Sequence, residues 1–202
     1  MNKWVTFFKH RCMENHVNFI TIAFLICSAI INIILANKVA DLRDNLSYIR
    51  AEGQLKIGSQ VPKIDAKDMN GIDYRIEYSK LNIPTILYVF KPECNWCSRN
   101  LQNIKTIASQ TNGKYRLIGL SLSSGSLKDY ISQNDLAFPV LTDINIETRS
   151  AYKLGGTPQT IIISSDGNVI KNWHGAYMNN LQSEVDKYLQ VKLPGLLPEN
   201  KS

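Results

Sequence analysis

A chain of 202 residues, 44% hydrophobic and 20% charged, carries enough apolar material for one sizeable core, which excludes wholesale disorder. Its 23 Lys and Arg against 17 Asp and Glu leave a formal charge of +6, spread without a run of like charges, so a nucleic-acid footprint is excluded as well. The four cysteines, Cys12, Cys27, Cys94 and Cys97, are not the paired framework of a disulfide-stapled secreted domain, and only the last two are close enough to form a local pair.

Residues 1–17 read as a short tail, expected on the cytoplasmic side. Residues 18–36, NFITIAFLICSAIINIILA, contain no charge and are long enough as a helix to cross a hydrocarbon layer of ~30 Å, so one transmembrane helix is predicted here. A cleaved signal peptide fits less well, because the apolar run is too long and no small-x-small site follows Ala36. Lys3, Lys9 and Arg11 before the span nearly balance Lys38, Arg43 and Arg50 after it. The short amino-terminal tail tips the expectation to a cytoplasmic start, a single pass and an extracytoplasmic domain on the periplasmic side. Cys27 reads as a small hydrophobe within the span and Cys12 as a tail residue, neither with a redox role. Residues 37–56 form a polar stalk with Val39, Leu42, Leu46 and Ile49 at helical spacing, fewer than three heptads and too little to support a dimerising coil.

From 57 to 191 short apolar runs alternate with amphipathic helices, the mark of a globular α/β domain. Asp68-Met69-Asn70-Gly71 carries turn chemistry between strands expected near 63–66 and 72–77. TILYVF at 85–90 reads as a central strand buried on both faces. Leu101, Ile104, Ile107 and Ala108 place a helix that stops at Asn112-Gly113. A strand over 115–122, a helix over 126–134 opened by a serine cap and a short helix over 147–153 follow. A hairpin over 160–164 and 169–174 turns at Ser165-Asp166-Gly167-Asn168, and Leu181, Val185, Tyr188 and Leu189 form the apolar face of a terminal helix. Pro194 and Pro198 stop that helix, so 192–202 is expected to be a flexible tail.

Chemistry concentrates at Cys94-Asn95-Trp96-Cys97, where the strand over 85–90 ends through Lys91-Pro92-Glu93 and a helix begins. Unpaired N–H groups at a helix amino terminus favour a thiolate, the form that attacks a disulfide, so Cys94 is the expected nucleophile. Cys97, one helical turn deeper, is the expected resolving thiol that breaks a mixed disulfide formed at Cys94. Trp96 reads either as part of a docking surface or as helix packing, and Glu93 either as a proton relay or as an exposed turn carboxylate.

The IGSQVP segment at 57–62, the strand-CNWC-helix unit and Gly155-Gly156-Thr157-Pro158 before the strand at 160–164 resemble the membrane-anchored TlpA/ResA-like proteins of the thioredoxin-like redoxin group. The resemblance covers roughly 57–191 and implies a three-layer thioredoxin-like fold with a central mixed β-sheet. It implies a thiol-disulfide oxidoreductase that needs no cofactor or metal and acts on extracytoplasmic protein thiols or disulfides, apocytochrome c among them. It further implies a cis Thr157-Pro158 bond, in a loop beside the dithiol that offers backbone groups to an extended substrate. Aligned on the first cysteine, Tyr88 falls where thioredoxin keeps a buried aspartate that helps the second thiol lose its proton.

Three rivals follow from the same residues. A Sco-like copper protein would bring His174 to Cys94 and Cys97, although the cysteine spacing and histidine position differ from that type. A peroxiredoxin-like peroxidase would show a threonine as well as a proline before the reactive cysteine, and only Pro92 is present. A purely binding module would keep Cys94 and Cys97 as a stable bridge. Zinc lacks the second half of its ligand set.

Overall fold

The computed structural model describes residues 21–40 and 53–198, and the chain divides after Gln54 into two units. In the first, helix α1 (Thr21–Ala40) is long and apolar enough to cross a membrane and runs past the expected end at Ala36, with Ile22, Phe24, Leu25 and Leu35 exposed along it. The tail 1–17, the start of the expected span at 18–20 and the stripe positions Leu42, Leu46 and Ile49 lie outside the described residues.

The second unit is built on a five-stranded mixed sheet, in the order β5-β4-β3-β6-β7. Its strands are β3 (Thr85–Phe90), β4 (Arg116–Ser121), β5 (Val140–Leu141), β6 (Gln159–Ile163) and β7 (Val169–His174). Strand β3 pairs parallel with β4 and antiparallel with β6, so every one of its six residues is buried. Its alternation divides the core in two. Leu87 and Val89 face one cluster with Ile118, Leu120, Ile161 and Ile163, and Ile86, Tyr88 and Phe90 face the other with Ile104, Ile107 and Ile162.

The hairpin β1 (Ile64–Lys67) and β2 (Asp73–Ile76), a 3-10 turn at Tyr78–Leu81 and the short helix α5 (Ile146–Ala151) cover the first cluster. Helices α2 (Asn95–Arg99), α3 (Leu101–Gln110), α4 (Leu127–Asn134) and α6 (Asn179–Leu189) cover the second. The Asp68 carboxylate closes the β1–β2 turn by accepting from the N–H groups of Asn70 at 2.8 Å and Ile72 at 2.9 Å, and Gly71 takes the positive φ of 81° that the turn requires. The segment after Ile57 runs along the start of β7, with Gly58 N donating to Val169 O at 2.8 Å and Val61 N to Gly167 O at 2.9 Å.

The expected elements appear with shifts of a few residues at their ends, and three features differ. Ser126 precedes α4 in the left-handed region at φ 51° and makes no side-chain capping bond, so its carbonyl, accepting from Tyr130 N, starts the helix instead. The two-residue strand β5 was not expected, being too short to show a period; it pairs parallel with β4 at Gly119 and Leu120.

The third difference is the tail. Val191 and Leu193 are buried in the second cluster, and of the expected tail 192–202 residues 193–197 hold hydrogen bonds to the domain while 199–202 lie outside the described residues. Leu193 N donates to Asp186 Oδ1 at 3.0 Å, Gly195 N to Asn103 Oδ1 at 2.9 Å and Leu197 N to Arg99 O at 2.8 Å. The helix α6 ends at Gln190 in the left-handed region, and Val191 and Leu193 just before Pro194 carry the burial that holds the extended segment on the domain. Leu193→Ala is expected to destabilise the domain by about 2 kcal/mol or more, read as a lower midpoint in urea unfolding; an unchanged midpoint would mean that the tail adds nothing.

Candidate active site

The strand that divides the core also delivers the dithiol. β3 ends at Phe90, the chain turns through Lys91-Pro92-Glu93, and Cys94 caps α2 with extended backbone angles of φ −82° and ψ 110°. Its Sγ accepts from the backbone N–H of Cys97 at 3.2 Å, the side-chain contact of an N-cap. The Cys94 carbonyl accepts from Cys97 N at 3.0 Å and Ser98 N at 3.1 Å, so the first helical turn closes on this residue.

One turn on, Cys97 points into the core and has no exposed surface, whereas Cys94 is half-buried. Both sulfurs are free thiols. Burial first, then the neighbouring Cys94, pushes the Cys97 thiol up to about 12, while the Lys91 backbone and the Thr157 side chain work the other way. The pair is thus divided by position into a sulfur that can be reached and a sulfur that is shielded.

The Thr157-Pro158 peptide is cis, as the resemblance implies. It sets the Thr157 carbonyl 3.7 Å from Cys94 Sγ, which donates to it, and Pro158 is buried at the start of β6. Trp96 is 44% exposed, and the Arg99 guanidinium lies 4.6 Å from the centre of its ring, so the side chain stands on the surface over a cation rather than inside the helix packing. Glu93 lies exposed on the turn and makes no hydrogen bond or ion pair among the described residues. His174 ends β7 opposite Gln159, and among the described residues no three His, Cys, Asp or Glu side chains converge as the copper alternative requires.

The sequence reading missed the polar residues behind Cys97. Asn100, fully buried, interrupts the helix between α2 and α3, and its Oδ1 accepts from Asn103 Nδ2 at 2.9 Å and Tyr177 N at 3.0 Å. Tyr88, Tyr130 and Tyr177 complete this surrounding. The signal available was a pair of asparagines, Asn100 and Asn103, on the same helical stripe as Cys97, Leu101 and Ile104.

The family profile described as AhpC/TSA matches residues 57–172. The chain is 28% identical over 116 residues to a thioredoxin-like protein from Haemophilus influenzae, covering 56% of this chain and 67% of the relative. It is 23% identical over 145 residues to the thiol-disulfide oxidoreductase ResA of Bacillus cereus, covering 70% and 81%. The crystal structure of the thioredoxin domain of a thiol-disulfide oxidoreductase from Bacteroides vulgatus superposes with a TM-score of 0.55 at 17% identity, covering 67% of this chain and all but a margin, 99%, of that one, which shows the thioredoxin-like fold. These likenesses agree with the ResA-like resemblance drawn from the sequence, and with a profile match that spans more than half of its length the chain belongs to the AhpC/TSA family of redoxins.

Proposed function

We propose that this thiol-disulfide oxidoreductase exchanges electrons with protein partners through Cys94 and Cys97, as a membrane-tethered domain outside the cytoplasm. The observation that carries the reading is the division of the pair: Cys94 half-buried at the cap of α2, Cys97 wholly buried one turn behind it. Cys94 attacks a partner disulfide and forms a mixed disulfide; Cys97 attacks Cys94, releases the reduced partner and leaves the pair oxidised. Run backwards, the same two steps oxidise a partner dithiol. Trp96 offers apolar contact beside the nucleophile, and the backbone at Thr157 and Pro158 lies where an extended partner segment would align. Glu93 takes no step, being exposed and bonded to neither sulfur.

Two variants test the division of labour. Cys94→Ala should abolish insulin reduction, whereas Cys97→Ala should accumulate a mixed disulfide visible on non-reducing electrophoresis. Undiminished turnover by Cys94→Ala would sink the scheme.

Tethering is supported by the apolar helix α1, and the partners are extracytoplasmic protein thiols or disulfides, apocytochrome c included. Protease added to intact spheroplasts should cleave the domain from its anchor; a domain left uncut until the cells are lysed would place it in the cytoplasm instead.

A further inference from the structure

Trp96 and Arg99 stand three positions apart on α2, so their side chains share one face of it while Cys97 turns into the core. On that face three contacts fix the arginine. Its guanidinium carbon lies over the indole, 4.6 Å from the ring centre. Its Nε donates to the Leu197 carbonyl at 3.1 Å, and the Leu197 N–H donates to the Arg99 carbonyl at 2.8 Å. The segment that carries Leu197 is itself held to the domain, by the buried Leu193 and by the bond from Gly195 N to Asn103 Oδ1 at 2.9 Å.

A long surface side chain ordinarily loses rotamer freedom when it binds something. Here much of that freedom is removed within the chain, which prepares the guanidinium for recognition. No carboxylate neutralises it among the described residues. The ion pairs there join Asp65 to Arg75, Glu77 to Lys80 and Glu184 to Lys171, and Glu93, the acid nearest to Arg99 in sequence, is exposed and in none of them. With Nε engaged by Leu197, the two Nη groups make no hydrogen bond among the described residues. These are the paired donors that fit both oxygens of one carboxylate.

Arg99 follows Cys94 by five positions, about 7.5 Å of helix, a distance that an extended chain covers in roughly two or three residues. We propose that Arg99, stacked on Trp96 and fastened by Leu197, is a specificity-determining residue that binds a carboxylate roughly two or three residues from the reacting cysteine of a protein partner. This rests on the reading of Cys94 as the group that attacks the partner disulfide. The partners it selects are therefore protein disulfides with acidic flanks. Trp96 gives the same flank an apolar surface, Leu197 is a positioning residue, and the exchange itself stays with the two thiols.

Three symmetrical peptide disulfides test the assignment. Each joins two copies of a short single-cysteine peptide, and they differ only in carrying Glu, Gln or Lys at the second and third residues on both sides of the cysteine. The reduced full chain is used in detergent, at low ionic strength and in a Cys12→Ser, Cys27→Ser background. Its dithiol passes two electrons and two protons to the peptide disulfide, and chromatography of the freed peptide thiol gives the rate. Dividing each rate by that of dithiothreitol with the same peptide removes the effect of the flanking charge on the disulfide itself.

The unaltered chain should prefer the Glu peptide to the Gln peptide about ten-fold. Arg99→Gln should bring that ratio to about one, and Arg99→Glu should reverse the order in favour of the Lys peptide. Because the whole chain carries +6, Lys114→Gln is the control. Lys114 is exposed, two residues before Arg116, which pairs with Thr85 at the end of β3 remote from Cys94, so the same charge is lost there and the ratio should persist. A ratio unmoved by Arg99→Gln, an order not reversed by Arg99→Glu, or an equal loss in Lys114→Gln would overturn this inference and leave the proposed exchange standing. A lower melting temperature with the ratio kept would reduce Arg99 to a fastening for the tail and overturn it too. Failure of the unaltered chain to reduce any of the three peptides would overturn the exchange scheme, and this inference with it.

Discussion

The site depends on a single junction, the point where a strand buried on both faces gives way to the first turn of a helix. Because β3 is enclosed by β4 and β6, its end is fixed to within the rigidity of the sheet, and Cys94 inherits that precision. The helix then turns back over the face that carries Tyr88 and Phe90. Two sulfurs three positions apart are thereby placed in different surroundings, one accepting from the Cys97 N–H at a helix cap, the other fully buried in the second cluster. A reactive pair with unequal members is what sequential attack requires, and the inequality comes from local helical geometry rather than from any difference between the residues themselves.

The same enclosure has a cost. Burial shields Cys97 from solvent and also opposes its charged form, which the proposed exchange requires it to pass through. In an apolar surrounding the charge has to be met by dipoles already pointing at the sulfur, since water cannot reorganise there. The Lys91 backbone and Thr157 are the dipoles within reach.

Much of this was legible in the residues. TILYVF announced a doubly buried strand because after Thr85 only Tyr88 in it carries a polar side-chain atom, and the alternation of its side chains between two clusters follows from the pleat. The dithiol and the proline loop were readable because their residue types are unusual at those positions. Other features were hidden for identifiable reasons. Strand β5 has too few residues to show a period, and Ser126 looked like a cap although its backbone sits in the left-handed region where its side chain makes no such bond. The polar surrounding of Cys97 is assembled from β3, α3, α4 and the segment before α6, four stretches that only the tertiary fold brings together. The docked tail was obscured by its prolines, which speak about helix formation and not about burial.

That tail joins two regions the chain order keeps far apart. Leu197 donates its N–H to the Arg99 carbonyl and accepts from the Arg99 guanidinium at 3.1 Å, while the same guanidinium covers Trp96, two residues from Cys94. Anything that pulls on the chain terminus, such as a fused reporter or an affinity handle placed directly after Leu197, would therefore tug on the residue that supports the exposed indole. A spacer beyond Pro198 keeps such additions clear of the contact that ties Leu197 to Arg99 and, through it, to the exposed indole.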